Sequence, residues 1–178
     1  GDFENQKRAS ARLAQVVPIS VLLIFVILYV LFGNARDAGL VLTNVPFAAV
    51  GGILILLFTH TNFSISAGIG FICLFGICIQ NGVIMLMDIK HFLRHRYALP
   101  EAVTRGMHSR IRSVLMTAMM ATLGLMPAAL SHGIGSESQR PLATVIIGGL
   151  VGATLFTLFI FPLVVERIYS HVNIKKLR

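Results

Sequence analysis

Polar side chains set inside apolar stretches are the groups in this sequence best placed to do chemistry, and four stand out. Gln80 and Asn81 lie within the apolar block Ser64–Ile89, while Arg110 and Thr117 flank the start of the block Ser113–His132. Arg110 and Thr117 are seven residues apart, as are Asn81 and Asp88, so on a helix each pair shares a face about two turns apart. Gln80, Asn81, Arg110 and Thr117 are therefore expected to line one polar seam between two helices. Such groups are costly in an apolar medium unless paired or hydrated. The amides either hydrogen-bond between helices for packing or serve a function, and Arg110 also fits a charge that sets topology. Asp88 reads as a solvated helix end beside Lys90.

Other chemistry is weaker. His91 and His95 at i, i+4 could share a metal, but no third ligand stands near them, and two solvated histidines on a surface helix are the expectation. His60 and His132 both fall at the ends of apolar blocks on one side. Met116, Met119, Met120 and Met126 read as fillers of gaps in a core rather than as soft-metal ligands. Cys73 and Cys78 point ~140° apart around a helix and cannot bridge each other. No metal site and no cofactor are expected. The sequence contains no Gly-x-Ser-x-Gly, no His-Glu-x-x-His and no phosphate-cradling glycine loop, so it does not read as an enzyme.

The elements that must hold the polar seam are membrane helices. Of the 178 residues 56% are hydrophobic and only 12% charged, about half the charge density of soluble domains. Five blocks reach or approach the ~20 residues that cross ~30 Å of hydrocarbon: 16–33, 38–58, 64–89, 113–132 and 141–165. A soluble protein of this size has no interior to hide them, so the solvent of this bundle is lipid. Segment 1–15 is polar and helix-compatible and leads into the first span, with Pro18 in that span's first turn. Pro46 is expected to kink the second span and Pro141 to open the fifth. Segment 90–112, interrupted by Pro100, is long enough for a short helix on the membrane surface, and 166–178 forms a tail.

The net charge of +8 reports topology, not nucleic acid. Arg36, the Lys90–Arg112 stretch and the tail with Arg167, Lys175, Lys176 and Arg178 share one side. Lys7, Arg8, Arg12 and Arg140 are all that the other side receives. The richer side is cytoplasmic, which places Gly1 on the far side. Small residues predict where helices touch: Ala48 and Gly52 in the second span, Ala121 and Gly124 in the fourth, Gly148 and Gly152 in the fifth. The fold expected is an all-α membrane protein, a bundle of five transmembrane helices.

Particular strings then match a known family. Gly1-Asp2-Phe3-Glu4-Asn5-Gln6 with Val16-Val17-Pro18 resembles the approach to the eighth membrane helix of resistance–nodulation–division (RND) exporters. Asn44-Val45-Pro46-Phe47-Ala48 with Gly51-Gly52 resembles their ninth. Phe63 through Phe71 and Gln80-Asn81-Gly82-Val83 are similar to the tenth, and Arg110 through Thr117 to the eleventh. Gly133-Ile134-Gly135-Ser136 with Gln139-Arg140-Pro141-Leu142-Ala143-Thr144 resembles the junction with the twelfth. The wording is similar to the heavy-metal branch of the cobalt–zinc–cadmium type. The chain thus resembles a fragment of the RND transmembrane domain, its C-terminal portion, helices eight to twelve.

That resemblance implies a proton-driven exporter of divalent heavy-metal cations in the bacterial inner membrane. It further implies a homotrimer working with a periplasmic adaptor and an outer-membrane channel, together with N-terminal and periplasmic parts of the same protein. Protons are taken up by carboxylates on the fourth helix, and Gln80, Asn81, Arg110 and Thr117 stand where the family's relay groups face them. Drug-exporting relatives carry Lys at the position of Gln80, so here any answer to a carboxylate must be a hydrogen bond. Export of drugs or organic solutes, and a non-transporting membrane scaffold, are the alternatives.

Overall fold

In a computed structural model the described secondary structure is entirely helical. The structure describes residues 2–61 and 64–172; Gly1, Phe63 and, from the tail, Lys175, Lys176 and Arg178 lie outside them. Helix α1 (Asp2–Phe32) forms the first span. Helices α2 (Ala35–Leu42) and α3 (Asn44–Phe58) share the second; α4 (Ile65–Arg94) and α5 (Leu99–Leu130) form the third and fourth. The fifth comprises α6 (Ser136–Leu155), a π-helical turn (Phe156–Ile160) and α7 (Phe161–Ser170). The five spans are those expected, each long and apolar enough to cross a bilayer.

Their ends differ from the expectation for one reason. Hydropathy marks where hydrocarbon would stop, whereas a helix continues through good helix formers such as Ala, Arg, Lys and Glu. Residues 2–15 therefore continue α1, and Pro18 falls in the helix interior rather than in its first turn. Lys90–Arg94 completes α4, and Leu99–Arg112 forms the opening turns of α5 with Pro100 at its start. The basic stretch holds no separate surface helix. Pro141 likewise lies inside α6, which begins at Ser136.

Turn chemistry explains where the chain does break. Gly33, at φ +77°, ends α1 in the left-handed conformation that glycine tolerates. Asn34 then caps α2, accepting the Asp37 N–H at 2.8 Å. Pro46 conflicts with the carbonyl four residues back, that of Leu42, and the second span breaks outright at Thr43 instead of kinking at the proline. Pro162 meets the same problem with Leu158, which here lies inside the π turn.

The fifth span is the hub. It buries 56% of its apolar window, against 6% for α1 and α5, so those two present outward faces. The tightest crossing joins α3 to α6, where a Cβ on Gly51 would come within 2.9 Å of the Gly148 carbonyl and 3.3 Å of the Gly152 Cα. Gly52 lies under the Phe71 ring, Gly148 against Ile55, and Ala48 is fully buried. Ala121 packs at the edge of the core, whereas Gly124 meets nothing within 4 Å where its Cβ would be.

Two apolar clusters fill the interior. One gathers Ala38, Val41, Met85, Leu86, Ile89, Phe156, Phe161 and Val165, and the other Ala48, Leu56, Phe71, Leu74, Val145 and Leu150. A buried polar pair links the second and fifth spans. The Thr157 hydroxyl donates to Asn44 Oδ1 at 3.1 Å, and Asn44 Nδ2 donates to the Val41 carbonyl at 2.9 Å. Gly82 of α4 leaves room for that amide.

Candidate functional site

The α4–α5 seam holds the polar residues singled out by spacing. Gln80, Asn81 and Ile84 from α4 line a cleft of about 110 Å³ with Arg110, Ser113, Val114 and Thr117 from α5. Both helices are continuous there, so spacings of three and four on α4 and of three, four and seven on α5 keep each helix's groups on one face. Val114 is buried beneath the cleft, while Gln80 and Thr117 are exposed at its mouth. The Thr117 hydroxyl donates back to the Ser113 carbonyl at 2.9 Å, a local bond that leaves its lone pairs open. The side-chain amides of Gln80 and Asn81 form no hydrogen bond with any of the described residues.

Arg110 is held from below. Its Nε and Nη2 both donate to the Asp88 carboxylate, the latter at 3.3 Å, and the Ser109 hydroxyl donates to the same group at 2.9 Å. Asp88 is therefore not a solvated end beside Lys90 but the anchor that fixes Arg110 at the rim of the cleft. Paired this way, the guanidinium keeps donors to spare for a second anion.

Lys90 turns instead to a cluster that sequence spacing did not reveal. Asp37 is fully buried and accepts from Lys90 Nζ at 2.5 Å, from the Tyr169 hydroxyl at 2.6 Å and from Asn34 Nδ2 at 3.1 Å. Arg36 lies 3.6 Å from the same carboxylate. This knot joins α2, α4 and α7 at the end of the bundle that bears Arg94 and Arg167. Part of it was readable, since Asn34-x-x-Asp37 has the spacing of a helix-capping pair. Its partners 53 and 132 residues away were not.

The remaining candidates gather less chemistry. His91 and His95 lie with ring centroids 4.3 Å apart and planes tilted by 47°, and His95 Nδ1 lies 2.9 Å from the His91 carbonyl. His60 and His132 line one cavity of about 360 Å³ with Thr61, Ser136 and Arg140. Arg140 Nη1 there sits 3.3 Å from His132 Nδ1, a neighbour that disfavours a metal cation. Among the described residues no group of three or more His, Cys, Asp or Glu could hold a metal. Met116, Met119, Met120 and Met126 do not fill the core: all four are exposed along the outer face of α5. Cys73 is exposed and Cys78 buried, both as free thiols.

Comparison with known proteins gives a consistent set of likenesses. A family model described as the AcrB/AcrD/AcrF family matches residues 1–168. The cobalt-zinc-cadmium resistance protein CzcA of Cupriavidus metallidurans is 46% identical over 162 residues, which is 91% of this chain and 15% of that protein. The nickel-cobalt-cadmium resistance protein NccA of Alcaligenes xylosoxydans xylosoxydans is 45% identical over 164 residues, 92% of this chain and 15% of that protein. The crystal structure of a heavy metal efflux pump superposes with a TM-score of 0.86 at 45% identity, covering 96% of this chain and 17% of the pump's. The chain thus spans about one sixth of the length of these relatives.

Proposed function

Because the chain belongs to the AcrB/AcrD/AcrF family and, within it, to the heavy-metal RND efflux pumps, we propose that it forms the last five membrane helices of a proton-driven exporter of divalent metal cations. One observation carries this reading. Gln80 and Asn81 have no hydrogen-bond partner among the described residues, yet they stand within a span and open onto a cleft at the outward face of α4 and α5. Polar groups at that depth persist where another group answers them. A protonatable carboxylate on a membrane helix outside these 178 residues is the partner that fits. Ionised, it would accept hydrogen bonds from the two amides and draw on the spare donors of Arg110; protonated, it would donate to the open lone pairs of Thr117.

Protonation removes that attraction and ionisation restores it, so the seam has two arrangements separated by one proton. One proton crossing 100 mV yields ~2.3 kcal/mol, comparable with the ~1–3 kcal/mol of typical coupling between sites. No nucleotide is needed. Asp88 keeps Arg110 within reach in both states, and the groups that select the metal lie outside this chain. Placement in the inner membrane, assembly as a trimer and contact with a periplasmic adaptor and an outer-membrane channel belong to the same reading.

In the full-length protein, Arg110→Ala and Thr117→Ala should each lower resistance to zinc, cobalt or cadmium while leaving the amount of membrane-inserted protein unchanged. A coupling of this size corresponds to a loss of about fivefold or more in proton-coupled metal uptake by everted vesicles. Wild-type transport by both well-expressed variants would remove the seam from the mechanism.

A further inference from the structure

At the end of the bundle that carries the Asp37 knot, α1 and α4 leave a small cleft of about 110 Å³ between Leu31, Phe32, Met87, Lys90 and Arg94. Its composition is divided. Leu31 and Met87 are half exposed and continue onto the outer face of α1, where Leu23, Ile27 and Val30 also point outward. The two remaining polar side chains are both cations, and no carboxylate lines the cleft. Asp37 lies behind Lys90 and takes one of its three donors, while the Lys90 ammonium sits 5.5 Å from the Phe32 ring centre. Arg94 is exposed and has no hydrogen-bond or ion-pair partner among the described residues.

We propose that this cleft binds one anionic phospholipid, its phosphate between Arg94 and Lys90 and one acyl chain along Leu31, Met87 and the outer face of α1. The guanidinium fork matches a phosphate in two parallel bonds, and the spare Lys90 donors complete the contact. Lys90 is held in place by Asp37, so its share of the site is preorganised and only Arg94 must be ordered. Free phosphate would gain nothing from the apolar wall, and a zwitterionic lipid would bring its own cation against two others. Basic pockets between membrane helices near the headgroup level are the form that recognition of anionic lipid takes. The inference requires only that α1 and α4 lie in a bilayer, so it stands or falls independently of the transport mechanism.

The test uses the full-length protein in neutral detergent, titrated with phosphatidylglycerol or with phosphatidylcholine of the same acyl chains, with bound lipid counted by native mass spectrometry. Wild type should retain phosphatidylglycerol in preference to phosphatidylcholine. Arg94→Gln should weaken phosphatidylglycerol binding about fivefold, the effect of one cation near a charged headgroup, and leave phosphatidylcholine binding unchanged. Arg112→Gln removes the same charge from an exposed position on α5 and should change neither. Equal retention of the two lipids by wild type overturns the site. So does an Arg94→Gln variant that binds like wild type, as when another segment of the protein covers the cleft. An Arg112→Gln variant that loses as much as Arg94→Gln overturns it too, because the attraction then belongs to the whole basic end.

Discussion

Replacing Asp37 with alanine is expected to cost about 3 kcal/mol of stability, the low end of the ~3–5 kcal/mol range for breaking a buried ion pair. The low end applies because the Lys90 side chain is 12% exposed and can reach water once its partner is gone. The loss has several parts. The Tyr169 hydroxyl, within a side chain that is itself fully buried, loses its acceptor, Asn34 loses one of its bonds, and Arg36 loses the anion 3.6 Å away. Asp37→Asn keeps the shape and part of the bonding and should cost less. Heating the detergent-solubilised full-length protein and following the surviving folded fraction by size exclusion should rank them wild type, Asp37→Asn, Asp37→Ala. An alanine variant that melts with wild type would mean that the knot contributes nothing to stability.

Adding a single methyl group at Gly51 should be nearly as damaging. The new Cβ would press on the Gly148 carbonyl at 2.9 Å and the Gly149 Cα at 3.2 Å, and backbone atoms of a packed helix cannot turn aside as a side chain would. Separating α3 from α6 to make room forfeits dispersion contacts along the whole crossing, at an overpacking cost of ~1–3 kcal/mol. Gly51→Leu should prevent assembly of the bundle. Gly124→Ala is the matched control, since nothing lies within 4 Å of its new methyl group. Thermal stability that falls for Gly51→Ala and holds for Gly124→Ala supports the crossing, and equal melting of the two would contradict it.

These two positions illustrate what the sequence makes legible. The five spans follow from length and hydropathy, because apolar blocks of ~20 residues suit a helix whose backbone satisfies itself and not the ~9–11-residue strands of a barrel. The α4–α5 cleft was legible in part: helical spacing placed Arg110 and Thr117 on one face, but the connection was read as the long stretch 90–112, whereas the structure leaves only residues 95–98 between the two helices. Asp37 was hidden because it sits among Gly33, Asn34 and Arg36 and reads as one charge in a polar turn. Its burial is decided by Lys90 and Tyr169, which no local pattern links to it. Gly51 shows the same limit more mildly. The small-residue stripe named Ala48 and Gly52 on this helix, yet the closest backbone approach falls on the neighbouring glycine, because the crossing depends on how α3 is rotated after the break at Thr43. The methionines of α5 misled for a related reason: what is inward on a helix is a property of its neighbours.

The π turn at Phe156–Ile160 gives the end of the bundle that carries the Asp37 knot its phase. A surplus residue wound into one turn advances everything after it by ~100° relative to an unbroken α-helix. Tyr169 meets Asp37 at 2.6 Å only with that offset in place, and Thr157, which joins Asn44, lies inside the surplus turn itself. Two polar contacts are thus set by one local widening of the helix, like two teeth cut on a single key. A chain shortened by one residue there would keep its composition and hydropathy while aiming the last helix at the wrong partners.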